Sequence, residues 1–354
     1  MINCIIIGLG IFSLERLKIL VNSKEFNPVG IVDDNKENAQ KNLKKIELSD
    51  IFVDKIFPTV EEAKKKLSFE AVFIFSSSEF HASLSEQSLL AGYHTYCVKP
   101  LANNSDEMKR VLSAHKKNQN LILIQGLNNQ WNEASLKMQE ILNDKNLFGD
   151  FLMGNCLVWG RQNLKSTPPV ADTTEEGIFF HSMACHQLGQ LVSSIGLPKK
   201  IRAYTSLNKE ETLGFNGVRG TSDGSAIFTY EENRYFTYTA TRGGHGNPFN
   251  FASRWSGKWL FHGTKADVKR DGGRITLFRE GNIIHDCFYK DLDENLKQDD
   301  SNQFQYFYNK IKKNSDNINF DKNSINTWIL MQGCIDSFKN EKEIETKDLL
   351  NNFK

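Results

Sequence analysis

No run of apolar residues in the chain approaches the roughly 20 that a helix needs to cross a bilayer, so no membrane partner is expected. An excess of one charge is also missing. The 44 Lys and Arg are matched by 43 Asp and Glu, a formal net charge of +1. Such a balance supplies no basic field for nucleic acid and no polybasic membrane patch, which leaves a small polar substrate as the easier expectation. Basic residues are absent ahead of the short apolar run Ile5–Ile7, and Glu15, Arg16 and Lys18 follow soon, so no export signal is predicted. Paired cysteine spacing is lacking too. Cys4, Cys97, Cys156, Cys185, Cys287 and Cys334 are scattered without a CxxC pair, which argues against a disulfide framework and for a reducing, cytoplasmic setting. There is no internal repeat. What remains is an ordinary globular composition, 39% hydrophobic and 25% charged over 354 residues. That length suits two domains, because single cores stop growing at roughly 250–300 residues.

The first part of the chain alternates strand and helix signals. Ile2–Ile7 is short, rich in β-branched residues and apolar apart from Asn3, as a buried parallel strand requires. Leu14–Leu20 has helical spacing, Pro28–Val32 is a second strand, and Lys36–Leu43 a second helix. Thr59 with Glu62 three positions on reads as a helix cap. Ala71–Phe75, Thr95–Val98 and Leu121–Ile124 are further strands, with helices over Ser83–Ala91 and from a Ser105 cap to His115. This alternation predicts an α/β fold, a doubly wound parallel Rossmann sheet. After a helix at Trp131–Leu142 the pattern changes. Phe151–Trp159, Lys200–Ser206, Ser225–Tyr230, Tyr235–Thr241, Trp259–His262, Ile275–Phe278 and Asn282–Cys287 alternate apolar and polar residues. They predict an open, mainly antiparallel sheet with one covered face. Helices are expected at Phe179–Ile195, Asn302–Lys312 and Ser324–Phe338. The expected domains are therefore 1–122, binding a dinucleotide, and 123–354, an α+β domain for substrate and oligomerisation.

Gly8-Leu9-Gly10-Ile11-Phe12-Ser13 follows the first strand and opens a helix. Gly8 suits the tight turn, and Gly10 lets backbone approach a pyrophosphate seated on the helix N-terminus, with Ile11 and Phe12 completing the loop. Ser13 replaces the third glycine, so slightly looser helix–strand packing is expected. Asp33 and Asp34 end the second strand about 20 residues on, where a carboxylate can accept from the ribose hydroxyls. A 2′-phosphate would meet two negative charges there, so NAD is expected over NADP. Taken alone, the two aspartates also fit a solvated turn.

At His94-Thr95-Tyr96-Cys97-Val98-Lys99-Pro100-Leu101-Ala102 the chain resembles the glucose–fructose oxidoreductase/inositol dehydrogenase (Gfo/Idh/MocA) family, whose strand ends Glu-Lys-Pro-Leu-Ala. Ser76-Ser77-Ser78-Glu79-Phe80-His81 stands where that family has Thr-Pro-Asn-x-x-His. Asn129-Gln130-Trp131 stands where it often has Arg-Phe, and Ser182-Met183-Ala184-Cys185-His186 where it has Asp-x-Gly-x-His. The motifs keep the family's order, and the resemblance extends over the whole length. It implies a Rossmann domain followed by an α/β domain whose open sheet carries substrate and subunit contacts, and hence a homodimer or homotetramer. It implies an NAD(P)-dependent dehydrogenase acting on the CH–OH group of a sugar, sugar derivative or cyclitol. Lys99 would reach the substrate oxygen and the nicotinamide ribose, and His186 would be the acid/base. Ser76, Ser77, Ser78, His81 and Pro100 would join the cofactor site.

Two family carboxylates are replaced, by Val98 before Lys99 and by Ser182 before His186, and the Asp that often follows the histidine by three is Gly189. A histidine can take a hydroxyl proton unaided, and a neighbouring lysine can stabilise alkoxide charge. The minimal machinery survives, with both pKa values expected to fall below those of a carboxylate-bearing member. On an α-helix, His181 with Cys185, and Ser182 with His186, are i,i+4 pairs. His181 thus either takes the missing Asp's supporting place, contacts a phosphate-bearing substrate, or is a polar residue at a helix start. His181, Cys185 and His186 could each ligate zinc, but no second cluster has suitable spacing, so no metal is expected. Trp159, Arg161, Asp172 and Arg242 are candidate substrate contacts, with surface charge as the plainer reading for the arginines. Trp255 and Trp259 are read as packing a sheet face. Two other classes stand beside the dehydrogenase: a regulatory or scaffold protein of the same fold that binds cofactor but has lost turnover, and a lyase or hydrolase that recycles tightly held NAD.

Overall fold

The computed structural model describes residues 1–160, 179–208, 220–241, 246–253, 256–291, 297–313 and 322–353. The chain divides into two compact units, Met1–Gly126 with Asn295–Ser324, and Leu127–Glu294 with Ile325–Lys354.

In the first unit, strands β1 (Ile2–Ile7), β2 (Phe26–Val32), β3 (Ile56–Phe57), β4 (Ala71–Ile74), β5 (His94–Val98) and β6 (Leu123–Gly126) alternate with helices α1 (Leu14–Val21), α2 (Lys36–Lys45), α3 (Val60–Lys66), α4 (Ser78–Leu90) and α5 (Ser105–Lys117). All strand pairs are parallel, in the order β3-β2-β1-β4-β5-β6. This is the doubly wound order, and its switch point falls between β1 and β4. β1 and β4 are buried almost throughout, which is why they read as continuous apolar runs. The Thr59 cap forms as expected, its hydroxyl accepting from Glu62 N at 3.2 Å. At α5 the cap is Asn104, not Ser105: its side chain accepts from Glu107 N at 3.0 Å, while Glu107 reaches back to Asn103 N at 2.8 Å.

The second unit holds α6 (Glu133–Asn143), β7 (Phe151–Trp159), α7 (Cys185–Ile195), β8 (Lys200–Asn208), β9 (Gly220–Thr229), β10 (Tyr235–Thr241), β11 (Lys258–Gly263), β12 (Asp267–Asp271), β13 (Arg274–Arg279) and β14 (Asn282–Phe288). Its nine-stranded sheet runs β14-β13-β12-β11-β7-β10-β9-β8, closed by a short strand β15 (Ile344–Glu345). The pairing is antiparallel except between β7 and β10. Cys156, Val158, Phe236, Tyr238, Trp259 and Phe261 face inward and are buried. Trp259 stacks on Phe261 at 6.0 Å, as expected of a residue packing a sheet face; Trp255 lies outside the described residues. The opposite face leaves Met153, Tyr235 and Leu260 exposed.

Helix α8 (Lys297–Lys313) follows the second sheet in sequence but packs in the first unit. Phe304, Phe307 and Ile311 belong to the same buried cluster as Ile6, Phe26 and Phe73, with the Phe73 and Phe304 rings 5.2 Å apart. The sequence places this helix with the second sheet. Its apolar spacing suits either core, and only the fit of its rings between Phe26 and Phe73 selects one. Helix α9 (Lys322–Lys339) lies mostly in the second unit, as do β15 and α10 (Thr346–Asn351).

Candidate cofactor and active site

The first unit builds a loop at the switch point. Gly8 has φ +86°, and a Cβ there would lie 2.7 Å from Ser76 Cα, so only glycine serves both the turn and the approach of the β4–α4 connection. Gly10 differs: a Cβ there would meet nothing within 4 Å. That space lies beside the first turn of the helix, where unsatisfied N–H groups favour an anion. The turn over Ile11–Ser13 is 3-10, and Ile11 and Phe12 are more than half exposed at 58% and 64%. Ser13 is fully buried, its hydroxyl donating to Gly10 O at 2.6 Å, so the third loop position acts as a lock on the loop.

The end of β2 braces the same loop. Asp33 Oδ2 accepts from Leu9 N at 2.8 Å and Oδ1 from Asn35 N at 2.9 Å. Asn42, buried on α2, donates to Leu9 O at 2.8 Å. Asp34, next to Asp33, is exposed. The loop, the open space at Gly10 and a carboxylate held at the end of β2 fit the pyrophosphate and ribose of a dinucleotide. Asn42 was not legible as part of this site, because nothing in its sequence setting marks a residue that reaches across to another element's backbone.

On the far side of the switch point, Ser76, Ser77 and Ser78 lead into α4, with Ser77 at the N-cap. His81 on α4 is buried, its Nδ1 lying 2.7 Å from Pro100 O and its Nε2 2.8 Å from Ser76 O. Burial pulls its pKa below the usual histidine value, against the pull of the two carbonyls; nearby Lys99 lowers it further and Glu107 opposes. Lys99 and Pro100 follow β5, the peptide between them is cis, and Lys99 is half-buried. Val98, at the family's glutamate position, packs against the unit's core. Downstream, Leu101 N donates to Gln125 Oε1 at 2.7 Å and Asn103 Nδ2 to Ser78 O at 2.9 Å. The Cys97 thiol beside them is pushed up to about 12 by burial.

In the second unit the helix bearing the histidines is not α throughout. Phe179–Ala184 forms a π-helical turn before α7. The i,i+4 spacing expected of an α-helix thus begins inside a turn whose hydrogen bonds run i→i+5. His181 and Cys185 are buried and His186 is half-buried. A Cβ on Gly189 would lie 3.1 Å from Leu127 Cδ1, so apolar packing occupies the place of the family's second aspartate. Trp159 ends β7 half-buried, with its ring edge-on to Phe249 at 5.5 Å. Arg161, Asp172 and Arg242, and the side chain of Ser182, lie outside the described residues. Among the described residues no group of three or more His, Cys, Asp or Glu is placed to hold a metal ion, and no helix is long and apolar enough to cross a membrane.

A doubly wound unit with a glycine loop at its switch point, followed by a unit built on an open sheet, defines a two-unit fold whose first unit has the dinucleotide-binding architecture. Residues 2–125 match the Gfo/Idh/MocA family model, described as an oxidoreductase family with an NAD-binding Rossmann fold. Inositol 2-dehydrogenase from Salmonella typhimurium is 26% identical over 171 residues, 48% of this chain and 48% of that enzyme, so the match spans about half the length of this curated relative. Two solved structures share the fold over nearly the whole chain. An oxidoreductase from Agrobacterium radiobacter, in complex with NAD+, L-tartaric acid and magnesium, superposes with a TM-score of 0.84 at 13% identity, covering 98% of this chain and 99% of that one. Myo-inositol 2-dehydrogenase from Lactobacillus plantarum gives 0.74 at 16% identity, covering 97% and 99%.

Proposed function

We propose that the protein is an NAD-dependent dehydrogenase that moves a hydride to or from the hydroxyl-bearing carbon of a sugar, sugar derivative or cyclitol. The carrying observation is that one unit holds both an open glycine loop at the switch point, at Gly10, and a lysine at the carboxyl end of β5, Lys99. In doubly wound sheets ligands bind outside the carboxyl ends of the strands. Gly8, Gly10, Ile11 and Phe12 would receive the pyrophosphate, Asp33 and Asp34 the ribose, and Ser76–Ser78 the far side of the cofactor. Two carboxylates at the end of β2 favour NAD over its 2′-phosphorylated form. When bound, the nicotinamide accepts or supplies the hydride.

The chain's own residues handle the proton. Lys99 donates a hydrogen bond to the hydroxyl oxygen and stabilises negative charge developing there. The His186 imidazole takes the hydroxyl proton, a task for which an unperturbed histidine is already matched near neutral pH. Trp159, with Arg161, Asp172 and Arg242, would bound the substrate, and the exposed sheet face would serve a dimer or tetramer. A sugar and cyclitol panel with NAD and NADP, followed at the NADH absorbance, tests the reading. Wild type should reduce NAD with at least one substrate, and Lys99→Ala and His186→Ala should each lose most of kcat. Unchanged rates in both variants would remove the mechanism.

A second reading has its own observation. Val98 packs half-buried against the core and a Cβ on Gly189 would press on Leu127, so two carboxylate positions of the family face apolar neighbours. A regulatory or scaffold protein that binds NAD without turning over would show tight NAD binding and no reduction across the whole panel.

A further inference from the structure

We propose that His81 is a positioning residue that fixes the Lys99–Pro100 corner to the Ser76–Ser78 turn, and so sets where the Lys99 side chain starts. The inference rests on the reading of Lys99 given above. The geometry carries it. His81 is 1% exposed, so its ring does not meet substrate from solvent. Its nitrogens lie 2.7 Å from Pro100 O and 2.8 Å from Ser76 O, one acceptor on each of the loops that follow β5 and β4. Hydrophobic side chains of similar size could fill the volume, but none could address two carbonyls. A neutral imidazole carries one N–H, so at any moment one loop is held by donation and the other nitrogen faces a carbonyl.

The rest of the corner is tied as well. Leu101 N is held by Gln125 Oε1 at 2.7 Å, Asn103 Nδ2 holds Ser78 O at 2.9 Å, and Glu107 caps Asn103 N at 2.8 Å. Upstream, Val98 is paired in the parallel ladder with Gly126. Pro100 O, one residue from Lys99, is thus a point at which a side chain outside this segment sets the position of its backbone. A lysine on a flexible four-carbon stem gains its effective concentration from the backbone that carries it, and a displacement of about 1 Å at a reacting group costs on the order of a hundredfold in rate.

Two conservative replacements separate the two contacts. The Asn amide reaches the position of imidazole Nδ1 and the Gln amide that of Nε2. His81→Asn keeps the link to Pro100, His81→Gln keeps the link to Ser76, and His81→Leu keeps neither. The readouts are kcat and KM on the substrate found in the panel, and the pH dependence of acylation of the Lys99 amine in the protein without cofactor, followed by mass spectrometry. His81→Asn should stay within about threefold of wild type in kcat and keep the Lys99 acylation profile, while Gln and Leu lose at least tenfold in kcat and shift the profile, with substrate KM nearly unchanged. Equal behaviour of Asn and Gln, or a wild-type profile in Leu, overturns the proposal. So does a result in which all three variants fail to fold, since that marks a general support of the unit. If wild type turns over nothing with either cofactor, the dehydrogenase reading fails, and the acylation profiles alone still decide the role of His81.

Discussion

Arg16, one turn past the glycine loop, pairs with Asp300, at the start of α8, with Nε 3.3 Å from Oδ2. Arg16 also donates to Phe12 O at 2.8 Å and lies over the Phe75 ring at 5.9 Å from its centroid. One guanidinium therefore joins the loop helix, the end of β4 and a helix that arrives from the far end of the chain. Asp300 is buried, and burial pushes its carboxyl above the usual range while Arg16 pulls it back.

Removing one partner of a buried pair leaves the other charge uncompensated, at a cost of about 3–5 kcal/mol. Asp300→Ala should therefore destabilise the first unit by about 3 kcal/mol, and Asp300→Asn by less, because a neutral side chain is closer to what the burial favours. All five tryptophans lie outside the first unit, so their fluorescence does not follow it. Hydrogen exchange of β1 and β4 does, and it should speed up in both variants, more in Ala. Protection equal to wild type in Asp300→Ala would refute the claim that α8 stabilises the dinucleotide unit.

The two loop glycines should fail in different ways. Gly8→Ala meets Ser76 backbone at 2.7 Å with φ +86°, so it should lower stability as well as NAD affinity. Gly10→Ala meets nothing within 4 Å and should leave the melting temperature within a degree or so, since an uncrowded surface change costs under about 0.5 kcal/mol. If a pyrophosphate lies over Gly10, the same methyl blocks it, and NAD affinity should fall at least tenfold. Normal NAD binding by a stably folded Gly10→Ala protein would move the phosphate site elsewhere.

The parallel unit was legible because its strands are buried on both faces. Ile2–Ile7 and Ala71–Phe75 carry no polar face to confuse the period, and the loop that matters follows the first of them directly. Strand β12 was not legible. Asp267-Val268-Lys269-Arg270-Asp271 has one apolar residue, yet Arg270 is fully buried. It is held by Gly272 O at 2.9 Å, Ser135 Oγ at 2.7 Å and Asp291 Oδ1 at 2.8 Å, partners that only the folded chain assembles. The π turn at Phe179–Ala184 was hidden for a related reason. Its apolar residues fit an α-helix equally well, and Phe179 is seated against Gly224, where a Cβ would run into the ring.

Acid should weaken the first unit through three histidines. Burial is the main cause that lowers the pKa of His81, His94 and His115 from the usual 6.5. His94 Nδ1 accepts from Ile122 N at 3.0 Å, a bond that protonation there would break. Between the lowered folded value and 6.5, the unfolded chain holds protons that the folded chain does not, so stability rises with pH across that window. The contribution is complete above 6.5 and is lost as pH falls through the window, with a limiting slope of about 1.4 kcal/mol per pH unit for each group. Exchange of β1, β4 and β5 should accelerate from pH 7.5 to about 5.5 after correction for intrinsic rates, and His94→Asn should flatten part of that dependence. A first unit that grows more stable on acidification over this range would contradict the burial of these rings.

Cofactor choice should divide between two adjacent aspartates. Asp33 spends one carboxylate oxygen on Leu9 N and the other on Asn35 N, at 2.8 and 2.9 Å, so it is a structural pin on the loop before it is a ribose contact. A charged acceptor for a backbone N–H contributes about 1.5–3 kcal/mol, and Asp33→Ala should lose stability on that scale and weaken both NAD and NADP. Asp34 is exposed, and its substitution should not disturb the fold. It nevertheless follows Asp33 at the end of β2, where its charge would repel a 2′-phosphate. Asp34→Arg should therefore leave the melting temperature unchanged and narrow the ratio of NADP to NAD dissociation constants at least tenfold, chiefly by tightening NADP. The check is a titration of both cofactors against wild type and the two variants in buffers of low and high salt. Because the repulsion is between partly exposed charges, its effect should shrink as salt rises. An unchanged ratio in Asp34→Arg, at low salt, would leave Asp33 alone as the source of any preference and make the second carboxylate a bystander.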